Sequence, residues 1–262
     1  MVDESDNELI EEVLDVEVAE GSMAVLRKRP AGRAVPSVVM FHDGPGIRGA
    51  THDFARLLAS AGYDVIIPDL YHRHGRMIGY ELHEREADPT LVDKLWSMLD
   101  TLDDEDIQAD LDATLDATGV GLRQQLATIG FCVGARAVLR TMTRRPHQFA
   151  AGAMWHPSFL CDDGVVSPHH QADQLTGGLF VGIGGDDQLQ PIEVHRAFLD
   201  AVEPLDNVDV VTYPGADHGY TWRGWPSYHE HAATDSFART IDVFERHLSH
   251  PGETPPADNS RR

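Results

Sequence analysis

Five residues, Gly130-Phe131-Cys132-Val133-Gly134, constrain this chain more than any others. They follow the apolar run Leu126-Ala127-Thr128-Ile129 and precede Ala135-Arg136, so the segment reads as buried strand, sharp turn and helix. A strand-to-helix elbow of this kind holds its central residue in a strained backbone conformation. It needs small residues on either side, because side chains two positions away would collide. The elbow lifts the Cys132 sulfur above the sheet edge and aims a helix N-terminus at it. There backbone N–H groups can hold an oxyanion and favour a thiolate.

Two later loops carry the groups such a thiol would need. Leu179-Phe180-Val181-Gly182-Ile183 is an apolar strand leading into Gly184-Gly185-Asp186-Asp187, and Val208-Asp209-Val210-Val211-Thr212-Tyr213 leads into Asp217-His218-Gly219. The chain order is nucleophile, acid, histidine, each just after a strand. In an open parallel sheet those carboxyl ends face one crevice, so the three loops can meet. Asp187 is preferred to Asp186 because it lies four residues before Pro191, which is placed to open the next helix. Asp186 would then cap the loop.

Alternating strands and helices predict an α/β fold: a doubly wound, mostly parallel sheet with helices on both faces. An antiparallel entry hairpin is expected from Val13–Val18 and Met23–Leu26, with later strands at Ser37–His42, Asp64–Ile67 and Phe149–Trp155. Helical spacing covers Asp53–Ala61, Pro89–Leu99, an acidic stretch Asp103–Ala117, Glu193–Val202 and Thr234–His247. A chain of 262 residues with 42% hydrophobic content suits one α/β domain over residues 1–250. Residues 1–10 are expected to fray, and 251–262 to form a disordered tail.

Charge narrows the partners. A formal net charge of -22 argues against nucleic acid, whose phosphates would be repelled, and leaves any anionic substrate dependent on local arginines. No apolar run reaches membrane-spanning length, and the acidic start is unlike a signal peptide, so a cytoplasmic location away from membranes is expected. Cys132 and Cys161 read as free thiols, Cys161 in a packing or loop role. Of the 15 histidines, the groups His72-Arg73-His74, His169-His170 and His229-Glu230-His231 match no zinc signature and read as solvated loop residues. No metal or cofactor is called for, and the oligomeric state is left open. Trp155-His156-Pro157 and Trp222-Arg223-Gly224-Trp225-Pro226 either line the pocket or serve as packing.

The loop Phe41-His42-Asp43-Gly44-Pro45-Gly46-Ile47-Arg48 follows the third strand. The N–H groups of Gly44 and Val133 are the candidate oxyanion donors; Pro45 has none. Here the chain resembles the dienelactone hydrolase (carboxymethylenebutenolidase) family of α/β hydrolases. The matching residues are His42-Asp43 with Gly46, Ala61 through Tyr71 with its Pro68-Asp69-Leu70-Tyr71, the Cys132 elbow, Asp187 with Pro191, and His218-Gly219-Tyr220. The likeness runs from about Val13 to Leu248.

That resemblance implies a triad of Cys132, Asp187 and His218 and an acidic partner for the resting thiol. The partner is typically glutamate in the family and is Asp43 here, on a shorter arm. It also implies arginines for a substrate carboxylate, matching Arg73 and, one residue out of register, Arg223; Arg48 and Arg76 also lie near enough in sequence to reach the crevice. The expected activity is hydrolysis of a small-molecule lactone or ester, carboxylated as a dienelactone is, by acyl transfer to sulfur with His218 as base. The alternatives are a promiscuous carboxylesterase or thioesterase on the same triad, or a non-enzymatic thiol sensor.

Overall fold

The structure, a computed structural model, describes residues 8–32, 34–122, 124–164 and 166–249. Among these residues, eight strands form one sheet: β1 (Leu9–Val18), β2 (Gly21–Pro30), β3 (Ser37–Phe41), β4 (Asp64–Pro68), β5 (Leu126–Phe131), β6 (Phe149–Trp155), β7 (Gly178–Gly184) and β8 (Val208–Tyr213). Their order is β1-β2-β4-β3-β5-β6-β7-β8. β1 with β2 and β2 with β4 are antiparallel, and every other neighbouring pair is parallel. β3 to β7 are buried along their whole lengths, as strands covered on both faces must be.

Among the described residues there are seven α-helices: α1 (Gly49–Ser60), α2 (Leu82–Ala87), α3 (Thr90–Leu99), α4 (Asp104–Thr118), α5 (Val133–Arg144), α6 (Arg196–Val202) and α7 (Glu230–His247). Leu111, Leu115, Val138, Met142, Phe198 and Val202 from α4, α5 and α6 close one core layer. Phe54 and Leu58 of α1 with Val243 and Phe244 of α7 close the other. The sequence leaves α2 unassigned. Six residues with none buried carry no apolar period to read. The entry hairpin is longer than expected, and Leu9 and Ile10, expected to fray, already pair with Pro30 and Arg29. The expectations for residues 1–7 and for the tail lie outside the described residues.

Helix α4 is not simply acid facing water. Asp103 caps it, accepting from the N–H groups of Glu105 and Asp106, and Gly119 ends it at φ 67°. Asp104 turns inward to Arg136 (2.8 Å) and Arg140 (2.7 Å), fixing α4 to α5. Burial pushes the Asp104 carboxyl up, but the two guanidinium groups outweigh that and hold it below its ordinary value.

The glycines of the elbow are steric necessities. A Cβ on Gly134 would lie 2.4 Å from the Phe41 carbonyl oxygen and 2.7 Å from that of His42. A Cβ on Gly130 would lie 2.2 Å from the Gly134 carbonyl oxygen. Helix α5 therefore starts in backbone contact with the end of β3. Gly134→Ala is expected to cost about 1–3 kcal/mol and to lower Tm by roughly 3–10 °C in calorimetry. An unchanged Tm would contradict so close an approach.

Candidate active site

Three strand ends converge on one cavity. Cys132 sits between β5 and α5 at φ 54° and ψ -119°. Its N–H donates to the Trp155 carbonyl (3.2 Å), and its own carbonyl accepts from the Ser158 N–H (2.9 Å). The sulfur lies 3.3 Å from Ser158 Oγ. After β7, Asp187 is buried, and its Oδ1 accepts from the N–H groups of Leu189 (2.9 Å) and Gln190 (2.7 Å). Its Oδ2 lies 2.8 Å from His218 Nδ1, on the loop after β8. Asp187, rather than Asp186, therefore reaches the histidine; the neighbouring residue instead donates its N–H to Ala216. His218 Nε2 has no hydrogen-bond partner among the described residues, and the ring lines the same cavity as Cys132.

The electrostatics favour a charged pair. Burial pushes His218 down, but the Cys132 sulfur and Asp187 outweigh it and raise the imidazole to about 10. Burial pushes the Cys132 thiol up, yet the charge of the neighbouring His218 and the Ser158 hydroxyl bring it below its ordinary value. The arrangement can therefore hold a thiolate beside an imidazolium. His156 packs its ring edge against His218 at 5.0 Å between centroids, and burial keeps it neutral. His42 is neutral for the same reason. Its Nε2 accepts from the Leu70 N–H (3.2 Å), so its Nδ1–H donates to the Asp43 carbonyl (2.8 Å) and ties β3 to β4.

The two oxyanion candidates differ in position. Gly44 lines the cavity, its carbonyl held by Tyr71 O–H at 2.7 Å. Val133 opens α5, where first-turn N–H groups lack intrahelical acceptors.

Asp43 also lines the cavity, but it does not hydrogen-bond the thiol. Both its oxygens accept from Arg48, at 2.6 and 2.9 Å. Arg48 is itself buried, donates to the Gly46 carbonyl (3.0 Å), and lies 5.0 Å from the ring centres of both Trp222 and Trp225. A guanidinium five residues away satisfies the carboxylate, so the sulfur's hydrogen-bond partner is Ser158 instead.

Neither arginine expected to meet the substrate lines the cavity. Arg73 is drawn into an acidic cluster with Glu20, Asp106 (3.7 Å) and Asp110 (2.7 Å). Arg223 is exposed, stacks on Tyr228 at 5.6 Å, and borders a separate hollow beside α1 and α7. Arg76 pairs with Asp15. The arginine in the cavity is Arg85 of α2, stacked on Trp225 at 4.7 Å. Its Nε and Nη2 have no partner among the described residues. Burial, then the charge of Arg48, lowers its pKa. Flanked by Glu84 and Glu86, Arg85 carries no sequence signal beyond that of a solvated helix. The rest of the cavity wall is mostly apolar, with Trp96 and Leu99 of α3, Phe159, Leu189 and Trp222 beside His156 and Ser158, around a volume of about 160 Å³.

The histidine groups fall outside this cavity. His72 pairs with Asp110 (3.1 Å), the His169 and His170 rings pack against each other at a tilt, and His229 caps α7. Among the described residues no three His, Cys, Asp or Glu side chains gather as metal ligands, and no helix is long and apolar enough to cross a membrane. Cys132 and Cys161 are both free, and Cys161 packs against a core layer.

Sheet order, elbow and strand-end cavity together define an α/β hydrolase. The chain belongs to the dienelactone hydrolase family, whose family model matches residues 23–248. A carboxymethylenebutenolidase of Rhodococcus opacus is 28% identical over 219 residues, covering 81% of this chain and 82% of its own. A Salmonella typhi protein with a provisional carboxymethylenebutenolidase name is 28% identical over 229 residues, 84% of this chain and 81% of its own. Among solved structures, a Klebsiella pneumoniae protein provisionally named dienelactone hydrolase superposes with a TM-score of 0.78 at 25% identity, covering 92% of this chain and 100% of its own.

A thiolate beside an imidazolium would set a pH profile. Alkylation of Cys132 by iodoacetamide, in a Cys161→Ser background, is expected to rise with a midpoint below the ordinary thiol value. His218→Asn removes the neighbouring positive charge and should move the midpoint up by about 1–2 units. Ordinary midpoints in both proteins would contradict the pair.

Proposed function

We propose that this hydrolase cleaves a small carboxylated lactone or ester through a thioester on Cys132. The observation that carries the reading is one cavity shared by Cys132, a His218 held by Asp187, and an arginine with unpaired nitrogens. The Cys132 thiolate attacks the carbonyl carbon, forming the C–S bond and pushing an electron pair onto oxygen. The N–H groups of Gly44 and Val133 receive that oxyanion, each worth about 3 kcal/mol in comparable sites. Collapse breaks the C–O bond as His218 Nε2–H protonates the departing oxygen. The neutral imidazole then takes a proton from water, which attacks the thioester and expels the sulfur as thiolate. Asp187 keeps the ring oriented and stabilises its charged form.

Arg85 replaces Arg73 and Arg223 as the proposed carboxylate anchor, because a guanidinium with free donors in a desolvated wall suits a bidentate anion. The cavity size fits a compact substrate. Its aromatic wall favours a second reading, a broader range of neutral esters or thioesters, for which Arg85 would be idle. A small-molecule substrate needs neither nucleic acid nor membrane, and cytoplasmic location belongs to the same reading.

Cys132→Ala is expected to cut turnover of a dienelactone by at least about 10³-fold with the circular dichroism spectrum unchanged. Retained turnover would refute cysteine catalysis. Arg85→Gln is expected to raise KM for a carboxylated lactone roughly 10- to 100-fold, and for a neutral aryl ester far less. Equal effects on both substrates would remove the carboxylate role and leave the broader esterase.

A further inference from the structure

Ser158 is buried, lines the cavity, and places its hydroxyl 3.3 Å from the Cys132 sulfur. The loop that carries it is pinned at successive residues. The His156 N–H donates to the Gly182 carbonyl (2.8 Å), the Ser158 N–H to the Cys132 carbonyl (2.9 Å), and Arg136 to the Phe159 carbonyl (2.9 Å). His156 and Phe159, on either side of Ser158, both have positive φ, 37° and 59°. Two non-glycine residues in that region within one short loop store strain that the surrounding bonds must hold. The result is a hydroxyl delivered to sulfur at hydrogen-bonding distance, while the Asp43 carboxylate is tied to Arg48.

We propose that Ser158 is a further catalytic residue, whose O–H donates to Cys132 Sγ and steadies the sulfur both as resting thiolate and as the group expelled from the thioester. The role rests on the Cys132 reading above and deepens it. When the thiolate attacks, negative charge leaves sulfur and the bond weakens. When the thioester is cleaved, charge returns to sulfur and the bond re-forms, so no proton changes owner at Ser158. The other charged or titratable groups around the sulfur are His218 from the loop after β8, Asp43 with Arg48 after β3, Tyr71 after β4, His156 after β6 and, across the same cavity, Arg85 of α2. None of them changes in a Ser158 variant, which isolates the hydroxyl.

Magnitudes decide what the variant should show. Losing a hydrogen bond to a charged sulfur raises the thiol midpoint by about one pH unit. At pH values below both midpoints the thiolate fraction then falls about tenfold, but each remaining thiolate becomes about threefold more nucleophilic, so alkylation there slows only about threefold. The test follows alkylation of the Cys132 peptide by mass spectrometry across pH, in a Cys161→Ser background, for the Ser158→Ala, Ser158→Gly and Ser158→Thr variants, with folding checked by circular dichroism. The expected result is a midpoint about one unit higher in the Ala or Gly variant and restored in the Thr variant. An unchanged midpoint in a folded Ala or Gly variant overturns the proposal. The readout is labelling, not turnover, so it can fail while Cys132→Ala still abolishes hydrolysis. Failure of the triad would appear instead as turnover surviving in Cys132→Ala.

Discussion

The positive φ of Cys132 is the constraint on which the crevice depends. A non-glycine residue held there costs about 1–3 kcal/mol and persists only where its surroundings leave no alternative. Here they leave none. Gly134 lets α5 press against the carbonyls that end β3, and Gly130 lets the strand pass beneath the helix. The Cys132 carbonyl accepts from both Ser158 and Ala135, and its N–H is bound by Trp155. Two inward arginines on α5 clasp Asp104 of α4, so the helix behind the elbow cannot retreat. The strain at one residue is thus borne by three strands and two helices, and the sulfur stays at the mouth of the sheet.

The second organising feature is how charge is distributed around that sulfur. A chain of net charge -22 would repel a carboxylate at long range, yet its crevice is not acidic. Asp43 is matched by Arg48, which is itself sheathed by two tryptophans. Breaking such a buried pair would leave a bare charge at a cost of about 3–5 kcal/mol, so Asp43 is held in place as the partner of Arg48. With Asp43 paired to Arg48, His218 supplies the largest charge effect on the thiol, and Arg85 is left with guanidinium nitrogens that have no partner among the described residues.

What the sequence made legible, and what it hid, divides by the range of the interactions involved. The elbow, the parallel sheet and the order of Cys132, Asp187 and His218 were readable because each is written in local spacing: a glycine pair, an apolar run, a loop just after a strand. The choice of Asp187 over Asp186 came from the position of Pro191. Arg73, Arg223 and Asp43 sit where a motif comparison places them, but their partners are chosen through space. Asp110 captures Arg73, Tyr228 holds Arg223 and Arg48 takes Asp43. Arg85 and Ser158 had no local pattern at all. One belongs to a helix without a buried face, and the other to a loop whose course is set by hydrogen bonds to Cys132, α5 and β7.

The most direct measurement is rapid-quench mass spectrometry during turnover of a carboxylated lactone. A lactone opened by sulfur keeps all its atoms, so the peptide containing Cys132 should transiently gain the full mass of the substrate and lose it as product forms. Turnover with Cys132 unmodified at every time point, or the same mass found on another residue such as Ser158, would contradict acyl transfer to sulfur.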